Sequence, residues 1–115
     1  MSIEFEDVSD SFRKIKLTGR LDIPGTDAIS IKFASLATTQ GKRVLVDLTG
    51  ITFLASVGIR ELITNAKALQ QRQGKMVIFV GENASIAKTL DTTGIDVLIP
   101  VFANATEADQ AAQAQ

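Results

Sequence analysis

Residues 44–62 read Val44-Leu45-Val46-Asp47-Leu48-Thr49-Gly50-Ile51-Thr52-Phe53-Leu54-Ala55-Ser56-Val57-Gly58-Ile59-Arg60-Glu61-Leu62. The stretch predicts a buried strand over 44–48, a polar-tipped loop, and the start of an amphipathic helix. The strand rests on a nearly continuous apolar run, the pattern of a strand covered on both faces. The helix rests on the stripe Ile59, Leu62, Ile63, Ala66 and Leu69, with Arg60, Glu61, Asn65, Lys67 and Gln70 facing away. Arg72 falls in its last turn and Gly74 ends it. Ser56 lands where loop meets helix, a place where backbone N–H groups point outward and an anion is welcome.

On the N-terminal side, Ile3-Glu4-Phe5 and Phe12 to Leu17 predict two short strands joined by a turn at Ser9-Asp10-Ser11. In the second strand Ile15 and Leu17 alternate with Lys14, Lys16 and Thr18, which leaves one face wet. Pro24-Gly25 reads as a break. Thr26 is expected to cap the next helix, with Asp27 in its first turn, and Ile29, Phe33 and Leu36 to face the core. Gln40-Gly41 is expected to stop that helix.

On the C-terminal side, Met76 to Val80 predicts another buried strand. Asn83 is expected to cap a short helix that turns Ile86, Ala87 and Leu90 inward and closes near Gly94. Val97 to Phe102 contains Pro100, which favours an edge strand. Asn104-Ala105-Thr106-Glu107 resembles a capping box, and the Ala/Gln-rich tail after it is expected to fray. The order is β-β-α-β-α-β-α-β-α, an α/β chain with a mixed, mostly parallel sheet of about five strands and four helices packed on it. A single domain over 1–115 is expected, with 1–2 and about 111–115 frayed.

Composition narrows the function. Twelve basic residues stand against 13 acidic ones, a net charge of −1, so there is no cationic field for nucleic acid. The chain has no His, Cys, Trp or Tyr. The usual general base, thiol nucleophile and thiolate metal ligands are therefore missing, along with the best base-stacking side chains. This favours a binding or regulatory module over an enzyme. Gly50 and Gly58 do not belong to a phosphate-binding motif, since neither Gly-x-x-x-x-Gly-Lys-(Ser/Thr) nor Gly-x-Gly-x-x-Gly occurs. The polar, acidic N-terminus and the absence of an apolar run near 20 residues predict a cytoplasmic protein without direct membrane insertion.

Four segments, Gly19-Arg20-Leu21-Asp22, Val46-Asp47-Leu48-Thr49-Gly50, Phe53 to Gly58, and Gly94-Ile95-Asp96 with Pro100-Val101-Phe102, occur in the order and spacing of a STAS domain. The chain resembles the bacterial anti-sigma factor antagonists (anti-anti-sigma factors) over roughly residues 3–110. The resemblance implies a small mixed sheet backed by helices on one side. It implies a regulatory protein that binds a kinase-like anti-sigma factor, a GHKL-type ATPase, and thereby frees a sigma factor. No cofactor is expected, because ATP belongs to the partner kinase. The family's switch segment is typically Asp-Ser-(Ser/Thr)-Gly-(Leu/Ile), with phosphate on the second hydroxyl. Ala55 here stands at the Asp position, Ser56 at the first Ser, Val57 at the phosphoacceptor and Gly58 at the Gly.

The expected docking surface is the loop Thr49–Ser56 plus the exposed face of the helix from Val57. Its residues are Asp22, Thr49, Thr52, Leu54, Ala55, Ser56, Val57, Gly58, Arg60 and Glu61. Ser56 is either a helix cap or a displaced phosphoacceptor. Asp22 and Asp47, each after a strand-like run, are expected at the rim where parallel strands end, or as turn residues bonded to nearby backbone N–H groups. Gly58 is expected to allow close approach of backbone, by a neighbour or by a partner. Phe53 and Leu54 cannot both point inward if the loop is extended, so one is expected to be exposed as an interface anchor unless the second tucks under the helix. Two other classes are compatible with these residues: a STAS subunit of a larger assembly (a transporter accessory or stress-signalling scaffold), and a small nucleotide-binding α/β protein.

Overall fold

The computed structural model of the protein describes residues 1–114. Its strands and helices follow the expected order: β1 (Ser2–Asp7), β2 (Phe12–Leu21), α1 (Ile23–Ala37), β3 (Arg43–Leu54), α2 (Ser56–Gln71), β4 (Lys75–Phe79), α3 (Ala84–Thr93), β5 (Val101–Phe102) and α4 (Ala105–Gln113). A short 3-10 turn over Ile95–Val97 precedes β5. The five strands form one sheet in the order β1-β2-β3-β4-β5. β1 is antiparallel to β2, and every other pair is parallel. Each parallel connection carries a helix, as parallel neighbours require.

The sheet separates two cores. On one face Ile15, Leu17, Val44, Val46, Leu48 and Ile78 pack against Ile29 and Phe33 of α1, Leu62 and Leu69 of α2, and Ile86 and Leu90 of α3. On the other, Phe12, Leu45 and Val77 meet Ala108 and Ala112 of α4. The helices therefore do not all lie on one side: α4 covers the opposite face. Its Ala/Gln-rich segment is helical through Gln113, with Ala108 and Ala112 fully buried rather than frayed. Asn104 caps it, accepting the Glu107 N–H at 2.9 Å. The expectation of fraying at Gln115 lies outside the described residues.

Several local expectations are corrected. Pro24-Gly25 does not break the chain but sits inside the first turn of α1, where proline's missing N–H has no intrahelical acceptor to lose. The cap is Asp22, not Thr26, which is buried and whose hydroxyl finds no partner among the described residues. Asp27 lies beyond the first turn. α1 ends at Ala37, ahead of Gln40-Gly41. β2 and β3 run on to Leu21 and Leu54, so Thr49–Leu54 is strand and not loop. The loop signal at Thr49-Gly50 marks a bulge instead, because the β2–β3 register slips between Lys16 and Thr18 and again between Gly19 and Arg20. Asn65 is buried, its amide donating back to the Glu61 carbonyl at 2.8 Å. Asn83 stands at the start of α3, but its side chain does not cap that helix. Its amide reaches the Leu48, Thr49 and Ile51 carbonyls at 3.1, 3.3 and 2.8 Å and pins the bulge. Gly94 closes α3 with φ 73° in the left-handed region, where glycine carries no Cβ penalty.

Candidate functional site

The carboxyl ends of β2 and β3 lie together and feed α1 and α2. The Ala55 N–H donates to the Leu21 carbonyl at 3.0 Å, which fixes one helix start against the other strand end. Gly58 is what permits this closeness. A Cβ there would sit 2.8 Å from Leu21 Cβ and 3.0 Å from Leu54 Cδ1. The close approach at Gly58 is thus to a neighbour within the fold, and the residue is buried.

Asp22 organises the α1 side. One carboxylate oxygen accepts the Gly25 N–H at 2.9 Å and the other accepts Arg20 Nε at 3.2 Å. The Gly25 N–H, with help from the Arg20 guanidinium, holds the carboxyl below its ordinary value. Arg20 in turn lies over the Phe53 ring, 4.5 Å from guanidinium carbon to centroid. Phe53 is 42% exposed whereas Leu54 is 7% exposed. The ambiguity between the two is resolved: Leu54, expected at the docking surface, is buried, and Phe53 presents its ring to solvent. Arg20 was legible only as part of Gly19-Arg20-Leu21-Asp22. Its place two residues before Asp22, within reach of that carboxylate, is the signal that could have found it.

The α2 side is barer. Ala55 is the cap residue, in extended conformation, and no side chain caps the helix. Ser56 is the first helical residue and is exposed, so the expected cap at Ser56 is not made. Val57 is half-buried, and Arg60 points to solvent. Glu61 is half-buried and its carboxylate accepts from the Asn65 amide at 3.2 Å. Asp22, Ala55, Ser56, Val57 and Arg60 therefore cluster on the two helix starts, with Leu54 and Gly58 under them.

Thr49 and Thr52 lie apart, lining a shallow groove of about 580 Å³ with Gly50, Ile51, Glu82 and Asn83. Asp47 is not at this rim. It lies within β3, accepts the Thr49 N–H and hydroxyl at 2.8 and 2.7 Å, and faces a different groove beside Lys14 and Lys16. Its local bonding is that of a turn aspartate transplanted into a bulge. Asp22 and Asp47 do not form a pair. Among the described residues no group of three or more Asp, Glu, His or Cys side chains could hold a metal ion. Among them, too, no helix is long and apolar enough to cross a membrane.

The sequence profile described as "Mlab, STAS domain" matches residues 5–100. The chain belongs to the STAS-domain family. It is similar to an anti-sigma F factor antagonist of Paenibacillus polymyxa, at 22% identity over 95 residues, covering 82% of this chain and 80% of that one. The crystal structure of an anti-sigma factor antagonist from Mycobacterium paratuberculosis superposes with a TM-score of 0.83 at 19% identity, over 98% of this chain and 94% of that one. The murine anion transporter Slc26a9 contains a similar fold, with a TM-score of 0.74 at 15% identity over 91% of this chain and 18% of the transporter. The mixed five-stranded sheet and four helices are the STAS architecture. The fold resembles both an anti-sigma factor antagonist and a portion of an anion transporter.

Proposed function

We propose that this STAS-domain protein is an anti-sigma factor antagonist. It binds a kinase-like anti-sigma factor of the GHKL ATPase type in the cytoplasm and so frees a sigma factor, with ATP bound by the partner alone. The observation that carries this is the surface at the starts of α1 and α2. Exposed Phe53, stacked by Arg20, lies beside the uncapped helix start of Ala55, Ser56 and Val57. A partly exposed aromatic held by a guanidinium is the kind of group that anchors interfaces, while rim charges such as Arg60 tune the on-rate. The similarity to relatives that are anti-sigma factor antagonists supports the same reading.

Val57 occupies the family's phosphoacceptor position and has no hydroxyl. We infer that phosphate at that position does not regulate this protein, which leaves expression, competition between partners, or Ser56 as the control. A pull-down with mass-spectrometric identification tests the partner. Capture of a GHKL-type ATPase is expected, with binding weakened about tenfold by Phe53→Ala. Capture of none overturns the assignment. Incubation with that ATPase and ATP, read by intact mass, tests the switch. A phosphoryl gain that vanishes in Ser56→Ala assigns Ser56, and no gain leaves the protein outside phosphate control.

The likeness to part of an anion transporter favours a second reading, a STAS subunit of a larger assembly. Capture of transporter subunits in the same pull-down would select it. Tight nucleotide binding by the isolated protein would instead select a small nucleotide-binding protein.

A further inference from the structure

We propose that the outer edge of β1 is a docking strand for an extended segment of another protein in which Lys or Arg alternates with apolar residues. This goes beyond the regulatory surface above and does not depend on it. β1 is the first strand of the sheet, and among the described residues no strand pairs with its outer side. An unpaired edge offers a row of backbone donors and acceptors to an incoming strand.

The side chains of β1 set the chemistry. Residues opposite one another on paired strands share a face. Glu4 lies opposite Lys16 and Glu6 opposite Lys14, so both glutamates lie on the α4 side of the sheet. Lys14 is drawn away to Asp109 of α4, at 3.1 Å. Among the described residues neither Glu4 nor Glu6 has an ion-pair partner. Asp7, by contrast, is satisfied by Arg13 at 2.7 Å and Lys42 at 3.7 Å. Glu4, Glu6, Lys14, Lys16 and Asp47 line a groove of about 230 Å³ beside β1. With Lys14 engaged, the three carboxylates Glu4, Glu6 and Asp47 there face Lys16, which has no ion-pair partner among the described residues. On the other face lie half-buried Ile3 and exposed Phe5, the latter at 48%. An incoming strand with cations beside Glu4 and Glu6 and apolar side chains beside Ile3 and Phe5 extends the cross-strand charge alternation and covers the ring.

A second copy of the chain is the wrong occupant. A two-fold antiparallel pairing centred on Phe5 sets Glu4 of each copy opposite Glu6 of the other, and like charges directly opposite repel. The acidic edge therefore discourages self-association while favouring a basic strand.

The test uses the full chain, 15N-labelled, and a synthetic probe peptide acetyl-Lys-Val-Lys-Ile-Lys-Gly-amide. Saturable amide shifts confined to 2–7 and their β2 neighbours, with slowed hydrogen exchange in β1, are expected. The double substitution Glu4→Lys with Glu6→Lys should weaken the peptide about tenfold and create binding to the Glu-Val-Glu-Ile-Glu-Gly counterpart. Glu4→Gln with Glu6→Gln, which adds no charge, should fall between the two. No saturable binding, equal binding of a scrambled Lys-Lys-Lys-Val-Ile-Gly probe, shifts centred elsewhere, or concentration-dependent dimerisation through β1 in sedimentation overturns the proposal.

Discussion

Helices α1 and α2 start side by side at the ends of adjacent parallel strands, yet their first turns are built differently. α1 begins with Asp22 accepting the Gly25 N–H, Pro24 set inside the turn, and Arg20 bridging back to the carboxylate. α2 begins with Ala55, which has no polar side chain to offer, followed by exposed Ser56 and half-buried Val57. One start is closed by its own side chains. Among the described residues the other has no side-chain acceptor for its first-turn N–H groups, and it rests through Gly58 on the ends of β2 and β3. A small domain can thus hold an uncapped helix start in place: the capped start of α1 fixes the strand end on which the start of α2 is seated.

The contrast breaks most severely at Gly25. A Cβ there would collide with the Arg20 carbonyl oxygen, so Gly25→Ala must displace the α1 start from β2. A loss of about 3 kcal/mol in urea unfolding is expected. Gly58→Ala comes next. Its methyl crowds Leu21 and Leu54 at 2.8–3.0 Å, but alanine's better helix propensity returns about 1 kcal/mol, so a net loss of about 1–2 kcal/mol is expected.

Asp22 gives a smaller, pH-dependent effect. Its carboxyl is held low chiefly by the Gly25 N–H and then by Arg20, so the ionised form is the one the fold favours. That contribution is complete above the ordinary carboxylate value. It is lost as pH falls through the lower folded value. Asp22→Asn keeps a capping oxygen but not the charge. Its thermal midpoint should lie slightly below wild type near neutrality and converge on it in acid. Asp22→Ala should lie lower and fail to converge. The smallest change sharpens the contrast from the other side: Ala55→Asp adds an acceptor at an extended cap position and should stabilise by about 0.5 kcal/mol in the same urea assay.

What the sequence disclosed follows from how long each signal runs. The Val44–Leu48 apolar run and the α2 stripe span several residues, and both occur as expected. The failures are single-residue signals whose meaning depends on a distant neighbour. Pro24-Gly25 looks like a break until the Arg20 carbonyl is known to press on Gly25. Thr49-Gly50 looks like a loop because two register slips hide the strand that continues to Leu54. Asn65 looks like a surface residue until its bond to the preceding turn is seen. The edge strand around Pro100 is real but only Val101–Phe102 pairs, the preceding residues coiling into a 3-10 turn. At the candidate site, Asp22 and the residues of the α2 start were legible in the sequence, and the structure brings them together. The Arg20–Phe53 stack needed the register.

The second core has a consequence for motion. α4 meets the sheet through the methyl groups of Ala108 and Ala112, with Lys14–Asp109 and a Lys75 bond to the Ala111 carbonyl at 2.7 Å as its lateral ties. Detaching this helix uncovers Phe12, Leu45 and Val77 with the alanine methyls, still less apolar surface than opening the larger core that carries Phe33, Leu62 and Leu90. The protein is thus built with a rank of openings, and the amides of 108–113 should trade hydrogen for deuterium through a shallow local excursion while those of β3 wait for the whole molecule to unfold.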